Sequence, residues 1–127
     1  MSEREVSEGE VRRADGNLLV GAVPPESGER FETVRWVGGV QIERIVSSGA
    51  PEPGVYVQAQ DEWVVVLRGG GTVVVEGRRV VLEVGDHLFL PAGVAHWVER
   101  TEAGTVWLAV HVHPGGKPPD GVGSHGE

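Results

Sequence analysis

The stretch YVQAQDEW places Tyr56, Gln58, Gln60 and Glu62 at every second position. Alternate side chains of an extended strand share one face, so a phenol, two amides and a carboxylate would point the same way. Such a row is either a wet outer surface or the lining of a pocket. Asp61 could be the inward acid, but Glu62 shares its parity with Val64 and Val66, which favours the interior for Glu62. An inward carboxylate can accept or return a proton, and amides beside it can orient a ligand through hydrogen bonds.

The five histidines are the other chemically able groups. His96 opens a short run, HWVER, after a PAG turn. His111 and His113 form an H-x-H, a spacing that can hold a metal. Alternation through Val106, Leu108 and Val110 favours those aliphatics for the core and His111 for the opposite face, so the pair is not read as ligands, although one of the two could face the pocket. His87 follows a Gly-Asp turn and reads as a rim residue, while His125 falls in the tail. Gly69, Gly70 and Gly71 join two strands without opening a helix, so they form a turn and not a phosphate cradle. Of the four tryptophans, Trp36, Trp63 and Trp107 read as packing groups. Trp97, next to His96, is placed to reach a pocket mouth and touch a ligand.

The elements that must position these groups are β-strands. Runs rich in Val, Ile, Leu and Trp are NLLVGAV, FETVRWV, VQIERIV, VYVQAQDEWVVVL, TVVVE, RVVLEV, HLFL, HWVER and TVWLAVHV. Turn chemistry such as SSGAPEPG, RGGG, EGR and TEAG separates them. About nine short strands predict an all-β sandwich or barrel. One domain is expected over residues 16–113, between a mobile polar tail at 1–15 and a Gly/Pro-rich one at 114–127.

A formal net charge of -8 leaves no basic stripe to neutralise phosphates, which argues against nucleic acid and anionic membrane as partners. The sequence has no cysteine, so any metal must use nitrogen and oxygen donors. Neither a signal peptide nor an apolar spanning run is recognisable, and a cytoplasmic location is expected.

From Glu62 the chain reads EWVVVLRG, and from Gly85 it reads GDHLFLPAGVAH. These resemble the latter part of the first cupin motif and most of the second, and the likeness covers roughly Asn17 to His113. The resemblance implies a cupin-type double-stranded β-helix, a jelly-roll barrel. It also implies that Gln58, Glu62 and His96 remain from a metal-binding shell, with Tyr56 and Gln58 standing where the family commonly has two histidines. One divalent transition metal (Zn, Fe, Ni or Mn) could be held there, or the pocket works without one.

Two function classes follow. One is a divalent-metal-dependent enzyme on a small molecule, of the oxygenase, isomerase or lyase class, or one in which Glu62 and His96 alone shuttle protons for an isomerase or lyase. The other is a metal-free binding or sensor module. Tyr56, Gln58, Gln60 and Trp97 would contact the ligand, and Glu62 and His96 would carry the chemistry. A homodimer is expected, since unpaired edge strands and exposed Val and Trp gain by burial across a two-fold axis.

Overall fold

The computed structural model describes residues 9–120. Residues 1–8 of the predicted N-terminal tail, and residues 121–127 with His125, lie outside the described residues. Among the described residues, eight strands form: β1 (Glu29–Val37), β2 (Val40–Ser47), β3 (Asp61–Arg68), β4 (Gly70–Val75), β5 (Arg78–Glu83), β6 (His87–Leu90), β7 (His96–Thr101) and β8 (Val106–Val112). A single 3-10 turn follows at Pro114–Gly116. The all-β expectation is met, and among the described residues no helix is long and apolar enough to cross a membrane.

The strands build two antiparallel sheets. The larger has the order β1-β2-β8-β3-β6 and the smaller β5-β4-β7. Their facing surfaces enclose a core of Ile45, Val64, Val66, Val73, Leu82, Leu90, Trp107 and Ala109, all buried. Burial of this branched and aromatic surface is the main favourable term holding the sheets together. The EGR turn between β4 and β5 is a two-residue hairpin in which Glu76 (φ 51°) and Gly77 (φ 79°) are both left-handed, the backbone that matches strand twist.

Two predicted strands are corrected. NLLVGAV is a turn: the Leu19 amide donates to the Asn17 side chain at 2.9 Å and the Val20 amide to the Asn17 carbonyl at 3.1 Å. An asparagine that captures downstream amides competes with strand pairing. The run from Val55 to Gln60 is also irregular, and β3 begins only at Asp61. One bridge holds it, Tyr56 to His96, with amide–carbonyl bonds of 2.8 and 3.0 Å. This segment therefore crosses from the edge of the smaller sheet to the larger one.

Of the Gly69–Gly71 turn, only Gly69 is outside a strand; Gly70 and Gly71 open β4. A side chain at Gly71 would press on the Arg100 carbonyl, 2.7 Å from its Cβ position, and on the Trp107 ring. Gly71 lets β4 lie close against the tryptophan, a packing role.

Candidate ligand pocket

The inner face of the larger sheet changes character along its strands. Trp107 and Ala109 give way to His111 on β8, Val66 and Val64 to Glu62 on β3, and Ile45 to Glu43 on β2. Register puts Gln41, His111 and Glu62 in one cross-strand row. Where the apolar layers end, a cavity of about 80 Å³ opens between the sheets. Glu29, Glu43, Tyr56, Gln58, Glu62, His96 and His111 supply its polar wall, and Phe31, Val64, Leu90 and Trp107 are among its apolar lining.

Glu62 and His96 arrive from opposite sheets. Glu62 is the second residue of β3 and lies opposite Leu90 of β6. Asp61 beside it turns away and accepts the Ala92 amide at 2.8 Å, which fixes the PAG turn. Gly93 in that turn takes a φ of 80° that a side chain would resist, and its amide donates to the Gln58 carbonyl at 2.8 Å. The chain then enters β7 with His96 facing inward, 6 % exposed. Tyr56 stacks on its ring at 5.7 Å.

The hydrogen bonds assign roles to the polar atoms. Gln58 donates its amide to Glu62 Oε1 at 3.1 Å. His96 Nδ1 lies 3.3 Å from the Val94 carbonyl, which can only accept, so Nδ1 carries a proton, and in that neutral tautomer Nε2 offers a lone pair. Ser47 donates to Glu29 Oε2 at 2.9 Å and receives the Trp107 indole N–H at 2.9 Å. Burial, reinforced by the charge of Glu62, pushes the Glu29 carboxyl above its ordinary range against the opposing effect of the Ser47 bond.

His111 is a correction. It is 7 % exposed, lines the cavity, and lies 2.9 Å from Glu43 Oε1 and 3.9 Å from Glu62 Oε2 through Nε2. Its inward neighbours are Trp107 and Ala109, while Leu108 and Val110, half-buried, lie on the outer face. Aliphatic parity misled because the outer face is covered as well: Arg44, opposite Leu108, donates to the carbonyls of Leu18 and Val20 and so holds the N-terminal turn there.

Of the remaining predicted residues, Tyr56, Gln58, Glu62 and His96 line the cavity. Gln60 is not in its wall but stands behind His111, its amide nitrogen 3.2 Å from Nδ1. Trp97 is corrected: His96 and Val98 line the cavity, and Trp97 between them sits on the opposite face beside Val74. His87 is exposed on β6 against Trp63, with ring centroids 5.7 Å apart. His113 is bonded to Gln41 at 2.9 Å and packs on Trp36. Sequence reasoning missed Glu29, Glu43 and His111. The inward parity of Gln41, Glu43 and Ile45 within VQIERIV was the available signal for Glu43.

The pH behaviour of His111 follows from its neighbours. Burial is the largest influence and lowers its pKa, but the Glu43 hydrogen bond and the charges of Glu62 and Glu43 together outweigh it, leaving the pKa above 6.5. A raised folded pKa gives stability that is complete below the unfolded value near 6.5 and is lost as pH rises through the folded value. The melting-temperature advantage of wild type over His111→Gln is therefore expected to be larger at pH 6 than at pH 9. An advantage that grows with pH in thermal melts would contradict the Glu43–His111 pairing.

The donor set suits a divalent ion poorly. Gln58 turns its amide nitrogen toward Glu62, and a bound cation would face an N–H donor there. Among the described residues no three of His, Cys, Asp and Glu are placed together to hold a metal.

Residues 44–112 match the family of the cupin domain. The chain belongs to the cupin family. A crystal structure of a candidate mannose-6-phosphate isomerase from Ralstonia eutropha JMP134 is 36 % identical, covering 80 % of this cupin and 99 % of that chain with a TM-score of 0.72. A conserved protein of unknown function from Streptococcus pyogenes is 20 % identical, covering 90 % and 96 % at a TM-score of 0.67. An RmlC-like cupin from Shewanella frigidimarina is 22 % identical, covering 87 % and 90 % at 0.59. The last two likenesses concern the fold alone. No curated protein matches the sequence of this cupin.

Proposed function

We propose that this cupin binds a small molecule between its sheets and moves a proton on it without a metal, in the isomerase or lyase class of chemistry. The observation that carries the reading is that Glu62 and His96, both buried, meet in one cavity from opposite sheets. Glu62 Oε2 and His96 Nε2 make no hydrogen bond to the described residues, so each is open to a ligand. Glu62 would take a proton from a carbon next to a carbonyl and return it to the same or the adjacent carbon. The electrons stay within the substrate, so no oxidant is needed. Gln58 holds the carboxylate in place, and His96, steadied by Val94 and Tyr56, takes the substrate hydroxyl proton and passes it to the carbonyl oxygen, so that no net proton is gained or lost.

The substrate in the Ralstonia protein's name does not carry over. A hexose phosphate has a dianion to place, and neither lysine nor arginine lines this cavity, while three glutamates do. Burying a phosphate beside carboxylates with no cation opposing them is strongly unfavourable. The experiment for the proposed reaction is incubation with a panel of small α-amino and α-hydroxy carbonyl compounds in deuterated water, followed by proton NMR. Deuterium entering one of them faster than in buffer is expected, and none entering across the panel contradicts the reading.

A divalent-metal-dependent enzyme is the second reading, favoured because Gln58, Glu62 and His96 all face the same cavity. Elemental analysis of protein purified without an affinity tag separates the two. Well under one metal per chain is expected. Stoichiometric Zn, Fe, Ni or Mn that is lost in His96→Ala would establish the second reading instead.

A further inference from the structure

Most of the donors that face this cavity are engaged within the protein, while several of its acceptors are not. The Gln58 amide is spent on Glu62, the Trp107 indole on Ser47, the Ser47 hydroxyl on Glu29, and His111 Nε2 on Glu43. Behind the wall, the Gln60 amide is spent on His111 Nδ1. What remains, among the hydrogen bonds of the described residues, is a second oxygen on each of Glu29, Glu43 and Glu62, together with the Nε2 lone pair of His96. His96 is 6 % exposed, and this unpartnered atom belongs to a ring that lines the cavity. These acceptors open onto the cavity without a partner in the protein, so the occupant that fits is one that brings donors. The Tyr56 hydroxyl can serve either way, but it stands at the mouth, with the residue 40 % exposed.

Charge and size narrow the class. Three carboxyl groups and no lysine or arginine line the wall, and the Glu29 carboxyl already resists ionisation there. A cationic donor relieves that repulsion, whereas an anion adds to it. Phe31, Tyr56 and Trp107 offer ring surface to the same space, the surroundings that suit an organic cation. The cavity of about 80 Å³ corresponds to between five and eight water-sized positions, at roughly 10–15 Å³ for each.

We propose that the occupant is a small organic ammonium compound of roughly this size, its N–H groups shared among Glu29, Glu62 and His96. This deepens the reading of the pocket given above and rests on Glu62 and His96 facing the ligand. It does not require that the bound compound be turned over.

The test is titration of the full isotope-labelled chain at pH 7 with ethanolamine, glycerol, acetate and inorganic phosphate, followed by amide NMR. Ethanolamine is expected to give saturable shifts at residues around Glu62 and His96, with glycerol at least tenfold weaker and the two anions without effect there. Glu62→Gln should weaken ethanolamine at least tenfold. Glu29→Gln, on another strand, should weaken it as well and serves if the first variant folds poorly. Acetate or phosphate binding as tightly as ethanolamine, glycerol matching it, no saturable binding of ethanolamine, or unchanged affinity in both variants would each overturn the proposal. Ethanolamine binding without deuterium exchange in any compound would instead leave this inference standing and remove the proposed reaction.

Discussion

Changing Glu62 to Gln is expected to slow proton exchange on a substrate by a factor of roughly 100 or more, the usual worth of a positioned acid or base. The substitution keeps the side-chain volume and leaves an amide oxygen to accept the Gln58 bond, so the pocket keeps its shape while losing a charge. The same charge raises the pKa of Glu29 and, together with Glu43, that of His111. Both values should therefore fall in the variant, a readout independent of turnover that NMR titration can follow. The melting temperature of ligand-free protein should stay the same or rise, because a buried carboxylate at a working site commonly costs stability. A markedly lower melting temperature in ligand-free Glu62→Gln would mean that Glu62 is a structural hydrogen-bonding group.

The second large effect is expected at Trp107. It is 3 % exposed, packs with Ile45, Val73 and Leu82, and forms part of the cavity wall. Truncation to alanine removes this packing and leaves a void that the close approach of Gly71 cannot fill, at a cost of about 3–5 kcal/mol. Its indole N–H donates to Ser47, which in turn donates to Glu29. Trp107→Phe keeps most of the apolar contact but withdraws that donor, so a smaller loss of about 1–3 kcal/mol is expected, with the Glu29 carboxyl disturbed through Ser47. Urea denaturation of the three proteins checks the order. Equal stability of wild type and Trp107→Ala would show that the core is not centred on this residue.

The strands from β1 to β8 were legible because their Val- and Ile-rich runs are separated by turn residues, and the Gly-Asp and Pro-Ala-Gly signals delimit β6 and β7. Glu62 was legible by its parity with Val64 and Val66, and His96 by the second cupin motif. Alternation makes the row that begins at Tyr56 look like one strand, although only its end is one. Tyr56 and Gln58 still reach the pocket, because that segment crosses from β7 to β3 and its carbonyls bond to His96 and Gly93. The face of His111 is not legible, since parity identifies the inner face only when the other face is wet, and Arg44 here fastens residues Leu18 to Val20 over it. The partnership of Glu29 and Glu43 with the site depends on strand order, β1-β2-β8, which no local pattern encodes.

The most direct measurement is the rate of deuterium entry into a responsive substrate, catalysed by chelator-treated wild type and by Glu62→Gln in parallel. Exchange at the untreated rate in metal-stripped wild type, together with its loss in the variant, is the expected result. Exchange that disappears on chelation and returns on adding back zinc, iron, nickel or manganese would contradict a pocket that moves protons with Glu62 and His96 alone.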